Sequence, residues 1–198
     1  MIFLTELTAA FLVALVLENL LFTRAVDIPG IYQKLTPSQI MLVGSVLTGI
    51  ICISSVPAFF LNSVFATHSA FEPMLTFSFL AINAVVFLAV YFALKRFAPN
   101  LFEKIKKELP FYGVNCATLA PLLIASRMSN NMQFFSFFGY CLGSGAGFTA
   151  AMFLMWSVRQ KISLTRIPKV FRGLPITFIY LGIISLALFG LLGNQLPA

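Results

Sequence analysis

A thiol next to an amide side chain, in the tetrad Gly113-Val114-Asn115-Cys116, stands just inside an apolar stretch that begins at Pro110 and Phe111. A thiolate there is a soft ligand for a metal or an iron–sulfur cluster. A second group of reactive side chains, Glu18, Arg24 and Asp27, surrounds the end of the first apolar stretch. Polar and ionisable groups at membrane depth are expensive, and are functional by default. Arg24 and Asp27 read as an interfacial charge group, whereas Glu18 lies deeper. Cys52 and Cys141 are also inside apolar runs, with no CxxC pairing and no zinc-type spacing. They read as small hydrophobes, and neither a disulfide framework nor a zinc finger is supported. His68 falls in a short connecting loop and reads as solvated.

These residues need a scaffold, and the composition says what kind. The 198 residues are 60% hydrophobic and 10% charged, with a mean hydropathy of +0.96. A soluble domain carries about 25% charged residues, so the chain reads as an all-α integral membrane protein. Six apolar segments run from Ile2 to Leu21, Ile40 to Leu61, Met74 to Leu94, Pro110 to Ala125, Phe134 to Val158 and Leu174 to Leu192. A helical crossing needs about 20 apolar residues. The second, third, fifth and sixth segments reach that length. The first is interrupted by Glu18-Asn19, and the fourth is short and carries Pro110, Gly113, Asn115 and Pro121. Interrupted spans at matching places in two halves point to broken helices lining a shielded centre. The expectation is one membrane domain over residues 1–198, built as two inverted three-helix repeats, about 1–97 and 108–198. Spans one and four are then broken or half-helices, with Asn19 and Asn115 in comparable places.

Charge gives the orientation. The net charge of +7 raises nucleic acid as a partner in a soluble protein, but here it fits basic loops instead. The loops after spans one, three and five, with their helix ends, hold twelve of the thirteen Lys and Arg residues, and Arg127 is the exception. By the positive-inside rule those loops face the cytoplasm and both termini lie outside. The start lacks the basic residue of a secretory leader. The stretch 100–109 reads either as an interfacial helix or as a charged connector. The run Gly139-Tyr-Cys-Leu-Gly143-Ser-Gly145-Ala-Gly147 puts small residues four apart, which lets two helix backbones approach closely. It lacks the Lys-Ser/Thr of a phosphate loop.

Several ordered patterns resemble one family, the membrane subunits of RnfA/NqrE type shared by Rnf electron-transport complexes and the sodium-pumping NADH:quinone reductase. Lys95-Arg96-Phe-Ala-Pro99-Asn-Leu-Phe resembles its basic exit from span three, and Pro99, Pro110 and Asn115-Cys116 keep its spacing. Gly143-Ser-Gly-Ala-Gly147-Phe resembles its fifth span. Arg159-Gln-Lys-Ile, Ile167-Pro168 and Phe171-Arg172-Gly173-Leu-Pro-Ile-Thr-Phe-Ile resemble its last loop and sixth span, and Ser185-Leu-Ala-Leu-Phe-Gly190-Leu-Leu-Gly193 its end.

The resemblance implies an inner-membrane subunit of an ion-translocating electron-transport complex, paired with a homologous subunit of opposite orientation and assembled with further Rnf/Nqr-like subunits. It implies a [2Fe–2S] cluster between the pair, with electron flow coupled to movement of Na⁺ or H⁺. Cys116 matches one of the family's two ligand positions. Asn115, Asn19 and Gly113 would support that site. The other ligand position does not match: the turn reads Asp27-Ile28-Pro29-Gly30, with Pro29 near the expected Cys. The family's carboxylate late in span three is also missing, at Val90-Tyr91-Phe92. The chain has no nicotinamide or flavin motif and is not catalytic alone. The alternative is a divergent homologue without the cluster, acting as a structural subunit or as a transporter of ions or small solutes. Glu18, Arg24 and Asp27 are then the charges to test.

Overall fold

The computed structural model describes residues 2–26, 35–65, 72–110, 115–128, 133–164, 168, 171 and 173–192. The described residues form α1 (Ile2–Leu12), a π-helical stretch (Val13–Leu17), α2 (Leu20–Arg24), α3 (Pro37–Phe65), α4 (Glu72–Phe97), α5 (Pro99–Ile105), α6 (Cys116–Met128), α7 (Phe134–Leu164) and α8 (Leu174–Leu192). No strand occurs among them. Among the described residues, the apolar runs of the sequence fall on helix, with a break at Glu18-Asn19. Three helical stretches, Pro37–Phe65, Met74–Phe97 and Phe134–Ile162, are long and apolar enough to cross a membrane. Shorter apolar stretches are Phe3–Leu17, Cys116–Met128 and Pro175–Gly190. At 1.5 Å per residue, α6 spans only about 20 Å, against a hydrocarbon core of roughly 30 Å. The protein is an all-α integral membrane protein.

The helices α3 and α7 cross at the centre, and α1 lies along α7. Glycine explains both contacts. A Cβ added to Gly139 would sit 2.6 Å from the Leu7 carbonyl oxygen, and one on Gly147 would sit 2.9 Å from that of Leu15. Between them, a Cβ on Gly143 would meet the Phe11 backbone and lie 3.0 Å from Ala14 Cβ. Leu7, Phe11 and Leu15 thus oppose Gly139, Gly143 and Gly147 in rising order, so α1 and α7 run parallel. Such glycine ladders let membrane helices pack by backbone contact.

The α3–α7 contact has the opposite sense. Gly44 faces the Thr149 side chain, and Gly145 faces Thr48, whose Oγ1 would be 2.8 Å from an added Cβ. As numbers rise on α3 they fall on α7, so these helices run antiparallel. Both contribute the same element, Gly-x-x-x-Thr. In each, the threonine hydroxyl donates back to its glycine's carbonyl, Thr48 to Gly44 at 2.8 Å and Thr149 to Gly145 at 2.9 Å. The same register, continued one turn, places Cys52 of α3 level with Cys141 of α7.

The stretch 100–109 is helical over Pro99–Ile105. Its Phe102, Ile105 and Leu109 are buried. Phe102 lies edge-on to Tyr91 with ring centroids 5.0 Å apart, so its apolar side packs on the protein's own α4. An exposed apolar face is most evident on α4, where Phe77, Val85, Leu88 and Phe92 are exposed.

The packing at α1 makes Gly143→Ala costly, because a helix backbone cannot yield as a side-chain tip can. We expect a loss of about 1–3 kcal/mol, read as a lower unfolding midpoint in detergent. Gly182 has nothing within 4 Å, and Gly182→Ala should be neutral or slightly stabilising. Equal effects of the two substitutions would contradict this packing.

Candidate functional site

Two helix starts carry the polar chemistry of the interior. The first is a break inside span one. The π-helical stretch closes with Glu18 N–H donating to Val13 O at 2.9 Å. Glu18 then leaves helical geometry (φ −108°, ψ 41°), and Asn19 is extended before α2 begins. A break at membrane depth frees backbone groups that no lipid can satisfy. Asn19, 5% exposed, meets both sides of it. Its Oδ1 accepts from Leu21 N–H at 3.2 Å, and its Nδ2 donates to Leu15 O at 3.3 Å and to Gly147 O at 2.8 Å. Its own carbonyl accepts from Thr23 Oγ1 at 2.8 Å. The absent side chain of Gly147 makes room for this amide, since an added Cβ would lie 3.2 Å from Nδ2. α2 ends at Ala25 in the left-handed region (φ 52°), with Val26 N–H donating to Leu20 O at 3.1 Å.

The second start is at Asn115. Its carbonyl accepts from Thr118 N–H at 3.1 Å and Leu119 N–H at 3.2 Å, and its Oδ1 accepts from Cys116 N–H at 2.6 Å. Thr118 Oγ1 closes the turn by donating to Asn115 O at 2.9 Å. Behind it runs a buried polar chain through three helices. Asn83 Nδ2 donates to Thr118 Oγ1 at 2.7 Å, and Ser54 Oγ donates to Asn83 Oδ1 at 3.5 Å. Ser54, Asn83 and Thr118 are each fully buried.

The two starts are gripped alike. Ser185 of α8 donates to Phe22 O of α2 at 2.7 Å, while Asn83 of α4 holds α6. Thus α8 ties down α2, and α4 ties down α6.

The candidate residues separate into distinct places. Cys116 is the first residue of α6 and is exposed. Cys141 is buried and Cys52 half-buried, both in the α3–α7 contact. Glu18 is half-buried, with its Oε2 accepting from Tyr140 Oη at 2.8 Å. Arg24 ends α2 and is exposed. Asp27, Pro29 and Gly113 lie outside the described residues, as does His68. Sequence reasoning missed Tyr140, Ser54, Thr118 and Asn83. Asn83 had a signal, as the only amide between Met74 and Phe97; Tyr140 had none.

A [2Fe–2S] cluster takes four thiolates, or two Cys and two His. This chain offers one exposed thiol at a helix start. Its other cysteines are spent in a helix contact, and no Cys occurs in 27–34. No group of three or more His, Cys, Asp or Glu that could hold a metal occurs among the described residues. Two thiolates from each of two subunits is a set that these residues do not fit.

A multi-pass, all-helical membrane protein with a span broken and capped from within is the class this geometry defines. A sequence profile described as "Rnf-Nqr subunit, membrane protein" matches residues 7–194, and the chain belongs to that family. Its relatives include proteins named as the subunit designated A of an ion-translocating oxidoreductase complex. The one from Vibrio atlanticus (strain LGP32) is 28% identical over 164 residues, 83% of each chain. The protein of that name from Yersinia pseudotuberculosis serotype O:1b (strain IP 31758) is 26% identical over 192 residues, 96% of this chain and 97% of the relative. That from Vibrio campbellii (strain ATCC BAA-1116) is 29% identical over 164 residues, again 83% of each.

The burial order of the thiols predicts their reactivity. In the isolated protein in mild detergent, a maleimide should label Cys116 first and Cys52 slowly, and reach Cys141 only after denaturation. Mass spectrometry of the labelled peptides checks this, and early labelling of Cys141 would contradict the packing described.

Proposed function

We propose that this chain is an integral membrane subunit of an Rnf/Nqr-like complex that carries electrons across the inner membrane, coupled to movement of Na⁺ or H⁺. The observation that supports it most is the family match over nearly the whole chain, with relatives named as components of an ion-translocating oxidoreductase complex. The single membrane domain is read as two inverted repeats, about 1–97 and 108–198. The antiparallel, reciprocal Gly-x-x-x-Thr contact of α3 with α7 supports that reading, as does the exchanged grip on α2 and α6. The basic loops face the cytoplasm and both termini lie outside. The partners are a homologous membrane subunit of opposite orientation and the other subunits of the complex.

This chain's own part is structural and electrostatic. Asn19 and Asn115 hold two short helices at membrane depth, and Cys116 is presented at the start of one of them. Because the thiol set does not fit a symmetric cluster, no electron step runs through one. The missing thiol near Pro29 favours a second reading, a divergent homologue without the cluster that serves as a structural subunit or transporter.

One experiment separates these, and a second tests the misfit of the cluster. A tagged copy expressed from its own locus should co-purify with a homologous membrane subunit. Deleting the chain should abolish ion-coupled electron transfer in membrane vesicles, with recovery on re-expression. Purification alone, with coupling intact in the deletion, would overturn the subunit reading. Reduced-state EPR of the purified complex, with and without Cys116→Ala, should show no [2Fe–2S] signal that depends on Cys116. A signal lost in that variant would show that a partner supplies the remaining ligands.

A further inference from the structure

The exposed apolar row of α4 ends in positive charge. Leu88 and Phe92 lie one turn apart on it, both exposed. One more turn along the same face brings Lys95 and Arg96, also exposed. A single residue, Ala98 (φ −135°, ψ 62°), separates this end from α5. Beside the bend stands Phe97, which at 86% is more exposed than any other large apolar side chain among the described residues. On α5, Leu101 is exposed as well, and Lys104, three residues on, lies on the same side of the helix. The opposite side of α5 is held in place. Phe102 packs on Tyr91, and Gln39 Nε2 donates to Lys104 O at 3.4 Å. Charge at this elbow is unbalanced. Between residues 95 and 107, five basic residues stand against one acidic residue, Glu103. That carboxylate is taken by Lys106 at 2.5 Å. Lys95, Arg96 and Lys104 form no ion pair among the described residues.

We propose that the elbow between α4 and α5 binds an anionic phospholipid. Its headgroup phosphate is held by Lys95, Arg96 and Lys104, and its acyl chains lie along Phe97, Leu101 and the exposed row of α4. Guanidinium and ammonium groups are the side chains that hold phosphate. A soluble anion would use the charges and leave the apolar rim in water. A phospholipid uses both, since hydrocarbon runs from Arg96 back through Phe92 and Leu88 as it runs from a headgroup. Diffuse attraction of basic loops to an anionic surface acts on every lysine alike. Here a one-residue bend gathers three unpaired cations from two helices, and the fourth, Lys106, is already neutralised. Occupancy should therefore saturate. The site needs only that α4 spans the bilayer, and it is independent of electron transport.

The test uses the full chain in mild detergent, alone or in its complex as it purifies. Phosphatidylglycerol or phosphatidylcholine is added, native mass spectrometry counts the lipid retained, and thermal unfolding follows stability. The expected result is saturable retention of phosphatidylglycerol with a rise in unfolding temperature, matched neither by phosphatidylcholine nor by inorganic phosphate. Its affinity should fall about fivefold in Arg96→Gln and about 100-fold in the triple variant Lys95→Gln/Arg96→Gln/Lys104→Gln. Phe97→Ser should weaken binding with the charge unchanged, and Lys106→Gln should leave it intact. The single variants each change one exposed side chain, so they report even where the triple variant fails to fold. Equal retention of the two lipids would overturn the site. So would equal losses in Lys106→Gln and Arg96→Gln, the mark of diffuse surface charge, or competition by inorganic phosphate with no effect of Phe97→Ser, the mark of a free-anion site. Shielding of Lys95 and Lys104 from amine acylation by another protein, with no lipid preference, would assign the elbow to an acidic protein partner and overturn it too.

Discussion

A membrane-spanning backbone has to satisfy its own polar groups, and the structure turns on how this chain meets that demand where span one stops being a helix. The carbonyl of Leu15 and the amide of Leu21 stand on opposite sides of the break. One side chain, Asn19, reaches both and also binds across to Gly147. No solvent can take its place at that depth. The glycine ladder of α7 follows from the same requirement, since a larger residue at Gly147 would displace the amide. Packing and polar satisfaction are therefore one problem here, solved on one face of α7.

The second short helix meets the demand by different means. Asn115 closes the start of α6 with its carbonyl and side chain, while Asn83 and Ser54 reinforce it from α4 and α3. The result is a rigid mount for Cys116, fixed by three helices, with the thiol left exposed. By contrast Cys141 and Cys52 fill space between α3 and α7. Three thiols of one chain thus have different surroundings because of which helix face carries them.

Much of this was legible in the amino-acid sequence. The described parts of the apolar runs are apolar helices, three of them long enough to cross a membrane, because long-range hydropathy dictates helix in a bilayer. The break was visible as Glu18-Asn19, a charge and an amide where hydrocarbon is expected. The glycine spacing of the fifth run foretold a close contact. The short fourth run, read from its Pro, Gly and Asn residues as a broken helix, shows among the described residues a helix that begins at Cys116, after the residue able to cap it. Tyr140 was hidden because its partner Glu18 lies 122 residues away, and no local pattern encodes such a pairing. The π-helical stretch was hidden as well, since Val13–Leu17 is compositionally ordinary.

The crossing of α3 and α7 carries one more implication. Each helix offers its neighbour the same Gly-x-x-x-Thr face, turned end for end. Within a single chain this is an isologous contact, of the kind usually met at the two-fold axis of a homodimer. Such a face is self-complementary, so the sequences of α3 and α7 are not free to drift apart at these positions. A larger residue at Gly44 has to be answered by a smaller one at Thr149, and the same bond holds between Gly145 and Thr48. Four residues in two distant stretches of the chain are thereby constrained as two coupled pairs.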